Sequence, residues 1–245
     1  IYDVTHHRVG EDIDFGLLDV VRTAPALLTS AERLMLFTLV YSIRPKRYLE
    51  IGVLHGGASI IVARAMDAVG YEGKMVLVDI DPQIDSTRWE QMKHRAILIQ
   101  GGSPEILTEA REAAGGPFDF VFIDAGHSTH AVMRDANGVF PYLEDGAYLL
   151  FHDSCRPAVR EAIDVFVRTH MSSIVDFGLI TREFGILDET RKVDPDQLSN
   201  GFRVLQLRRR HGRMRPVNAV RGLQELWYRR LRSVAKRVLR PTASA

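Results

Sequence analysis

Two aspartates and a histidine have the types and spacing for metal-assisted proton chemistry. Asp124 closes the apolar run 118–123 and Asp153 closes 146–151, with His127 three residues beyond the first and His152 just before the second. If these runs are neighbouring parallel strands, their carboxyl ends open on one crevice and the two acids converge there. Carboxylates drawn together repel unless a cation or proton compensates. A divalent ion resolves the repulsion, and Mg²⁺ suits oxygen donors and room for waters. Asp124 and Asp153 are the candidate ligands, with Ser154 a weak ligand or an anchor for a metal-bound water. Such an ion would lower the pKa of a bound hydroxyl while His127 takes its proton, since histidine titrates in the needed range. The structural alternative is that Asp124 orders the AGHS turn and His127 bonds only within its loop. His130 and Cys155 have no spacing that demands zinc.

A second constellation lies in 47–61, RYLEIGVLHGGASII. Tyr48, Leu49, Ile51 and Val53 favour a strand, and Ala58, Ile60 and Ile61 continue at helical spacing. Between them Gly52, Gly56 and Gly57 can take positive φ or admit a ligand against bare backbone, and the helix start beyond offers N–H donors. Glu50 inside an apolar strand needs a hydrogen-bonding reason, either the loop or the amino-acid moiety of a ligand, unless this is an ordinary turn with Glu50 partly exposed. Neither a P-loop nor G-x-G-x-x-G is present. Asp79 ends the next strand in VDIDP, about twenty residues on, where a carboxylate meets ribose hydroxyls; Asp81 is the fallback. Gly102 and Ser103, after a third strand 96–100, offer a surface for a ring, although Ser103 is equally a helix N-cap.

The elements that must position these groups form an alternating series. Thr29 and Glu32 make a capping box before a helix 30–43, which Pro45 stops. Strands at about 47–52, 75–79, 96–100, 118–123 and 146–151 alternate with helices, and 174–179 and 202–207 add two more. This predicts an α/β fold, a doubly wound, mostly parallel seven-stranded sheet. We expect 1–28 as an N-terminal segment or lid, 29–207 as the catalytic domain and 208–245 as an extension. With 245 residues, 46% of them hydrophobic, the chain can bury one substantial core. One cysteine excludes an intrachain disulfide scaffold and suits a reducing compartment, and a cytoplasmic location is expected.

The formal net charge of +1 conceals an asymmetry. Residues 208–245 hold twelve Lys/Arg against Glu225 alone, so the remainder is acidic. Val220, Leu223, Trp227, Leu231, Val234 and Val238 make 218–240 a basic amphipathic C-terminal helix. Its stripe suits docking on the core or on a partner subunit of a homo-oligomer, or peripheral contact with an anionic membrane. Nucleic acid ranks third, since a charge run specifies no base readout.

Together these motifs resemble class I S-adenosylmethionine-dependent methyltransferases over about 29–207. The likeness is strongest to small-molecule O-methyltransferases of the catechol and caffeoyl-coenzyme-A type and the macrolide and cephalosporin tailoring group. The resemblance implies that Glu50, Gly52, Gly56, Gly57 and Ser59 surround the methionine part of S-adenosyl-L-methionine, Asp79 its ribose, and Gly102 and Ser103 its adenine. It also places Asp124 at the cofactor edge and as first metal aspartate, His127 at the position of a basic lysine, and Asp153 as second metal aspartate. Ser154 stands where the catechol enzyme has a ligating asparagine, and His152 where the tailoring group often has an acid. The implied reaction is methyl transfer to a hydroxyl of a small molecule, a natural product or sugar-containing metabolite. Tyr2, Asp12, Phe15, Trp89, Phe184 and the 181–200 insertion are candidates to shape its pocket. Alternatives are a metal-independent N- or C-methyltransferase, an NAD- or nucleotide-sugar-binding oxidoreductase, or an RNA- or membrane-binding module without catalysis.

Overall fold

The computed structural model describes residues 15–181, 185–186 and 198–208. Contacts divide the chain into Ile1–Arg209 and Arg210–Ala245, and every described residue belongs to the first unit. The amphipathic stripe expected over 218–240, Tyr2, Asp12, Phe184 and the side chain of Phe15 lie outside the described residues.

After a 3₁₀ turn at Phe15–Leu18 come helices α1 (Asp19–Thr23) and α2 (Ser30–Ile43). The chain then runs β1 (Arg47–Ile51), α3 (Gly57–Val69), β2 (Lys74–Asp79), α4 (Ser86–Glu90), β3 (Ala96–Gln100) and α5 (Leu107–Ala114). It continues through β4 (Phe118–Ile123), α6 (Thr129–Val139), β5 (Leu143–Phe151), α7 (Pro157–Thr169) and β6 (Ile174–Leu179). A two-stranded ribbon, β7 (Gly185–Ile186) with β8 (Leu198–Ser199), and β9 (Arg203–Leu207) complete the series.

The sheet has the order β3-β2-β1-β4-β5-β9-β6. The first five strands are parallel, and β9 enters antiparallel between β5 and β6. Alternate residues feed opposite faces, the period-two consequence of a pleated strand. Leu49, Ile51, Val76, Val78, Val121 and Ile123 pack with Leu107, Val132 and Phe166 of α5, α6 and α7. Tyr48, Met75, Leu77, Phe120 and Phe122 pack with Leu36, Ile60 and Met66 of α2 and α3. Burial on both faces explains the nearly continuous apolar strands. Asp119 interrupts β4 because its carboxylate accepts from Lys46 N (2.8 Å) and Arg47 N (3.0 Å), pinning the start of β1.

Strand order reverses between β1 and β4, and ligand crevices of open α/β sheets form at such a reversal. Among the described residues no helix is long and apolar enough to cross a membrane.

Candidate active site

Main-chain bonds carry the parallel register beyond the strands and hold their ends in one row. Gly52 N donates to Val78 O (2.9 Å), Asp124 N to Ile51 O (2.8 Å) and His152 N to Ile123 O (3.1 Å). Gly52, at φ +91°, packs so closely that an added Cβ would lie 2.3 Å from the Asp124 carbonyl oxygen. At Gly57 a Cβ would meet Ala26 Cα at 2.5 Å, which lets segment 25–28 cover the start of α3. At both positions the close neighbour is the protein's own backbone, so the glycines bring the walls of the site together. Gly56 is the left-handed N-cap of α3.

Asp79 closes β2 and shapes the same loop. One carboxylate oxygen accepts from Val53 N (2.7 Å) and Leu54 N (2.8 Å), and the other from Asp81 N (2.8 Å). Asp79→Ala would orphan these amides and remove the expected ribose acceptor. Hydrogen bonds to a charged group contribute about 1.5–3 kcal/mol, so S-adenosylmethionine affinity is expected to fall roughly 10- to 100-fold by calorimetric titration.

Glu50 is buried, with Ser59 Oγ (2.9 Å) and Tyr48 Oη (3.2 Å) donating to the same carboxyl oxygen. Burial pushes its pKa to about 8; Ser59 and Tyr48 oppose the rise, while the charges of Asp124 and Asp79 add to it. The unfolded group ionises near the ordinary carboxylate value, so between that pH and about 8 the folded state holds the extra proton. Glu50 therefore lowers stability progressively as pH rises through this window. In ligand-free protein Glu50→Gln is expected to gain stability over wild type, with a gap that widens from pH 5 to 8 and reaches a few kcal/mol. Urea unfolding at several pH values checks this, and a gap independent of pH would contradict it.

At the ends of β4 and β5, His152 Nδ1 lies 2.7 Å from Asp124 Oδ1, and His127 Nε2 lies 2.6 Å from Asp153 Oδ2. Asp153 itself has φ +53°. That left-handed turn is held by Asn200 N donating to Asp153 Oδ1, by Ser154 N to Gly201 O (2.9 Å) and by Cys155 N to Asn200 O (2.9 Å). Burial alone would raise the Asp153 pKa, but the His127 bond, the His152 charge and the Asn200 amide hold it near 2. Burial alone would depress the His152 pKa, but Asp124, Glu32 and Asp153 outweigh it and raise it well above the ordinary imidazole value.

One donor atom from each of Asp124, His152 and Asp153 falls within 4.8 Å of the other two, a candidate divalent-metal site. Its third donor differs from the Ser154 expected from the sequence: that hydroxyl is buried and donates to Phe151 O at 3.0 Å. The oxygen-rich set and the excess of negative charge fit a hard dication.

A cavity of about 630 Å³ joins the two constellations. Glu50, Gly52, Gly57, Asp124, His127, His152 and Asp153 line it, together with segment 25–29, Arg156 and Asn200. Asp79, Gly56, Ser59, Gly102, Ser103 and Ser154 are not among its lining residues. Ser103 is buried but does not cap α5, which starts at Leu107 after Ile106. Trp89 packs partly buried against the core on the α3 side. Sequence reasoning missed Glu32 and Asn200, which reach the site only through tertiary contacts, and Arg156, three residues beyond Asp153 with Nε 3.4 Å from its carboxylate.

The family of methyltransferase domains has a model that matches residues 49–154, from β1 to the turn after β5. Residues 49–154 are thus similar to a methyltransferase domain. Over 85 residues the chain is 31% identical to a catechol O-methyltransferase of Niastella koreensis, a match covering 33% of this chain and 37% of that relative. Among solved structures, an O-methyltransferase from Streptomyces achromogenes involved in tomaymycin synthesis, in complex with S-adenosylmethionine, has a TM-score of 0.56 at 16% identity, covering 82% of this chain and 93% of the other. An O-methyltransferase from Bacillus cereus in complex with S-adenosylhomocysteine has a TM-score of 0.57 at 18% identity, covering 82% and 94%. At such identities the likeness is one of fold. The chain thus places its glycine loop and its acids where the sheet order predicts a ligand.

Proposed function

We propose that this protein transfers the methyl group of S-adenosylmethionine to a hydroxyl oxygen of a small molecule, assisted by a divalent cation. One observation supports this reading above others: the loop after β1 and the acids after β4 and β5 line one cavity. The bound cofactor would supply a methyl group on a good leaving group, and the cation would supply a positive charge beside the acceptor oxygen.

The protein's own contribution is alignment, charge and proton transfer. Gly52 and Gly57 draw the walls close, and Asp79 sets the loop amides and faces the ribose. Glu50, buried with no cationic partner among the described residues, suits the ammonium of the methionine moiety. That ammonium would compensate the carboxylate and drive off the proton Glu50 holds in the empty cavity. Gly56 and Ser59 complete the start of α3, and Gly102 and Ser103 are assigned to the adenine side.

Asp124, His152 and Asp153 would hold the cation. His127 is exposed to the cavity and oriented by Asp153, so it can accept the acceptor's proton. Apolar residues at 25–28 beside Leu54 suit an acceptor with an apolar body. The natural-product or sugar-containing acceptor, the homo-oligomer, the membrane contact through 218–240 and the cytoplasmic location remain expectations that this reading adopts.

The test is methyl transfer from S-adenosylmethionine to a panel of hydroxylated small molecules, with Mg²⁺ and after chelation. Transfer that needs the cation is expected. Transfer to nitrogen or carbon acceptors unaffected by chelation would favour the metal-independent alternative, and binding of NAD without S-adenosylmethionine would favour an oxidoreductase.

A further inference from the structure

Glu32 occupies the third position of a capping box, a place that ordinarily faces water, yet it is 0% exposed. The box itself requires only Thr29 Oγ1 accepting from Glu32 N (3.3 Å) and Glu32 Oε2 accepting from Thr29 N (2.8 Å). Three further groups converge on the same carboxylate. Gly201 N donates to Oε1, Asn200 Nδ2 donates to Oε2 at 3.2 Å, and His152 Nε2 stands 3.5 Å from Oε1. A buried carboxylate costs several kcal/mol unless it is paired and hydrogen-bonded, and capping alone does not need that burial.

The His152 ring is held edge-on by Phe202 (centroids 5.6 Å, 73°) and tilted against Phe122 (6.4 Å, 60°). Its two nitrogens face different acids: Nδ1 faces Asp124 at 2.7 Å, and Nε2 faces Glu32 Oε1 at 3.5 Å beside the Asn200 amide nitrogen at 3.3 Å, itself bonded to Glu32. An imidazole that donates one N–H to a carboxylate keeps the lone pair of the other nitrogen for a metal, and such partners set the tautomer of metal-binding histidines.

We infer that Glu32 is the positioning residue for His152: it retains the proton on Nε2 and thereby presents Nδ1, beside Asp124, as the third donor of the metal site. The inference rests on the metal reading above. A cation held at Nδ1 would leave the Nε2–H to Glu32. Glu32 also couples the first turn of α2 and the lead-in to β9 to the geometry of that donor.

The test uses the full chain. Mn²⁺ affinity is measured by electron paramagnetic resonance for wild type, Glu32→Ala, Glu32→Gln and Thr29→Ala. The exchangeable imidazole N–H is followed in the Co²⁺-loaded proteins by its paramagnetically shifted proton resonance. Glu32→Ala is expected to bind Mn²⁺ about 10- to 100-fold more weakly and to lose the slow-exchanging signal. Glu32→Gln, which keeps an acceptor oxygen, should retain the signal with a loss of about tenfold or less, and it decides the matter if the alanine variant does not fold. Thr29→Ala breaks the box without touching His152, so it should lower the melting temperature with Mn²⁺ affinity within about twofold of wild type. Wild-type affinity and an unchanged signal in both Glu32 variants would overturn this inference alone. Failure of wild type to take up Mn²⁺ or Co²⁺ would overturn the metal reading and this inference with it.

Discussion

Asp153→Asn is expected to slow methyl transfer roughly a hundredfold or more, the scale of losing one electrostatic contributor at a developing charge. Asparagine is the informative replacement because Asp153 has φ +53°, and asparagine tolerates that left-handed backbone as aspartate does. The turn held by Asn200 N, Ser154 N and Cys155 N should survive, so what is removed is charge. The geometry gives that loss two consequences. The cation loses one of three donors, and His127 loses the carboxylate that orients it at 2.6 Å. Chelation should take wild type down to the level of the variant and do little more to the variant itself. Turnover of Asp153→Asn within twofold of wild type, or an equal chelation effect on both proteins, would refute the assignment of Asp153 to the cation. The melting temperature should meanwhile shift only slightly, which separates loss of chemistry from loss of fold.

The parts of this site that were legible in the sequence share one property: they end a strand whose pattern is local. Asp79, Asp124 and Asp153 each follow an apolar run, and a parallel sheet brings such ends into one row. The role of His152 was not legible in that way. Adjacent residues of an extended strand point to opposite faces, which argues against His152 and Asp153 reaching one site. The positive φ at Asp153 turns the chain so that both do, and nothing in the type of residue announces it. Glu32 was legible only as a helix cap, since its partners Asn200, Gly201 and His152 are set by tertiary packing. The two last strands of the main sheet were expected from their composition, but the entry of β9 between β5 and β6 depends on a long connection that periodicity does not encode. Ser103 illustrates the opposite error: a good capping residue in the right place, displaced by a helix that starts four residues later at Leu107.

Gly52→Ala is expected to be the most damaging small substitution in the domain. Its φ of +91° strains any other residue, and the new Cβ would stand 2.3 Å from Asp124 O, 2.6 Å from Asp124 C and 2.7 Å from Ala125 Cα. Backbone strain of about 1–2 kcal/mol and overpacking of about 1–3 kcal/mol together suggest a loss of roughly 3 kcal/mol. For a domain of this size that lowers the melting temperature by roughly 6–12 °C. Gly70 supplies the control, because its φ is +71° and a Cβ there would meet nothing within 4 Å. Gly70→Ala should therefore show the strain alone, a drop smaller by half or more. The clash at Gly52 is with main chain, so relief requires the ends of β1 and β4 to separate. That movement displaces Asp124 from His152 on one side and the Val53–Leu54 amides from Asp79 on the other. Both S-adenosylmethionine and Mn²⁺ affinity should consequently fall together, although alanine adds only a methyl group, whose nearest neighbours are main-chain atoms rather than a side-chain donor. If Gly52→Ala melted like Gly70→Ala and kept both affinities, the close approach of these two strand ends would not be what joins the cofactor loop to the acidic site.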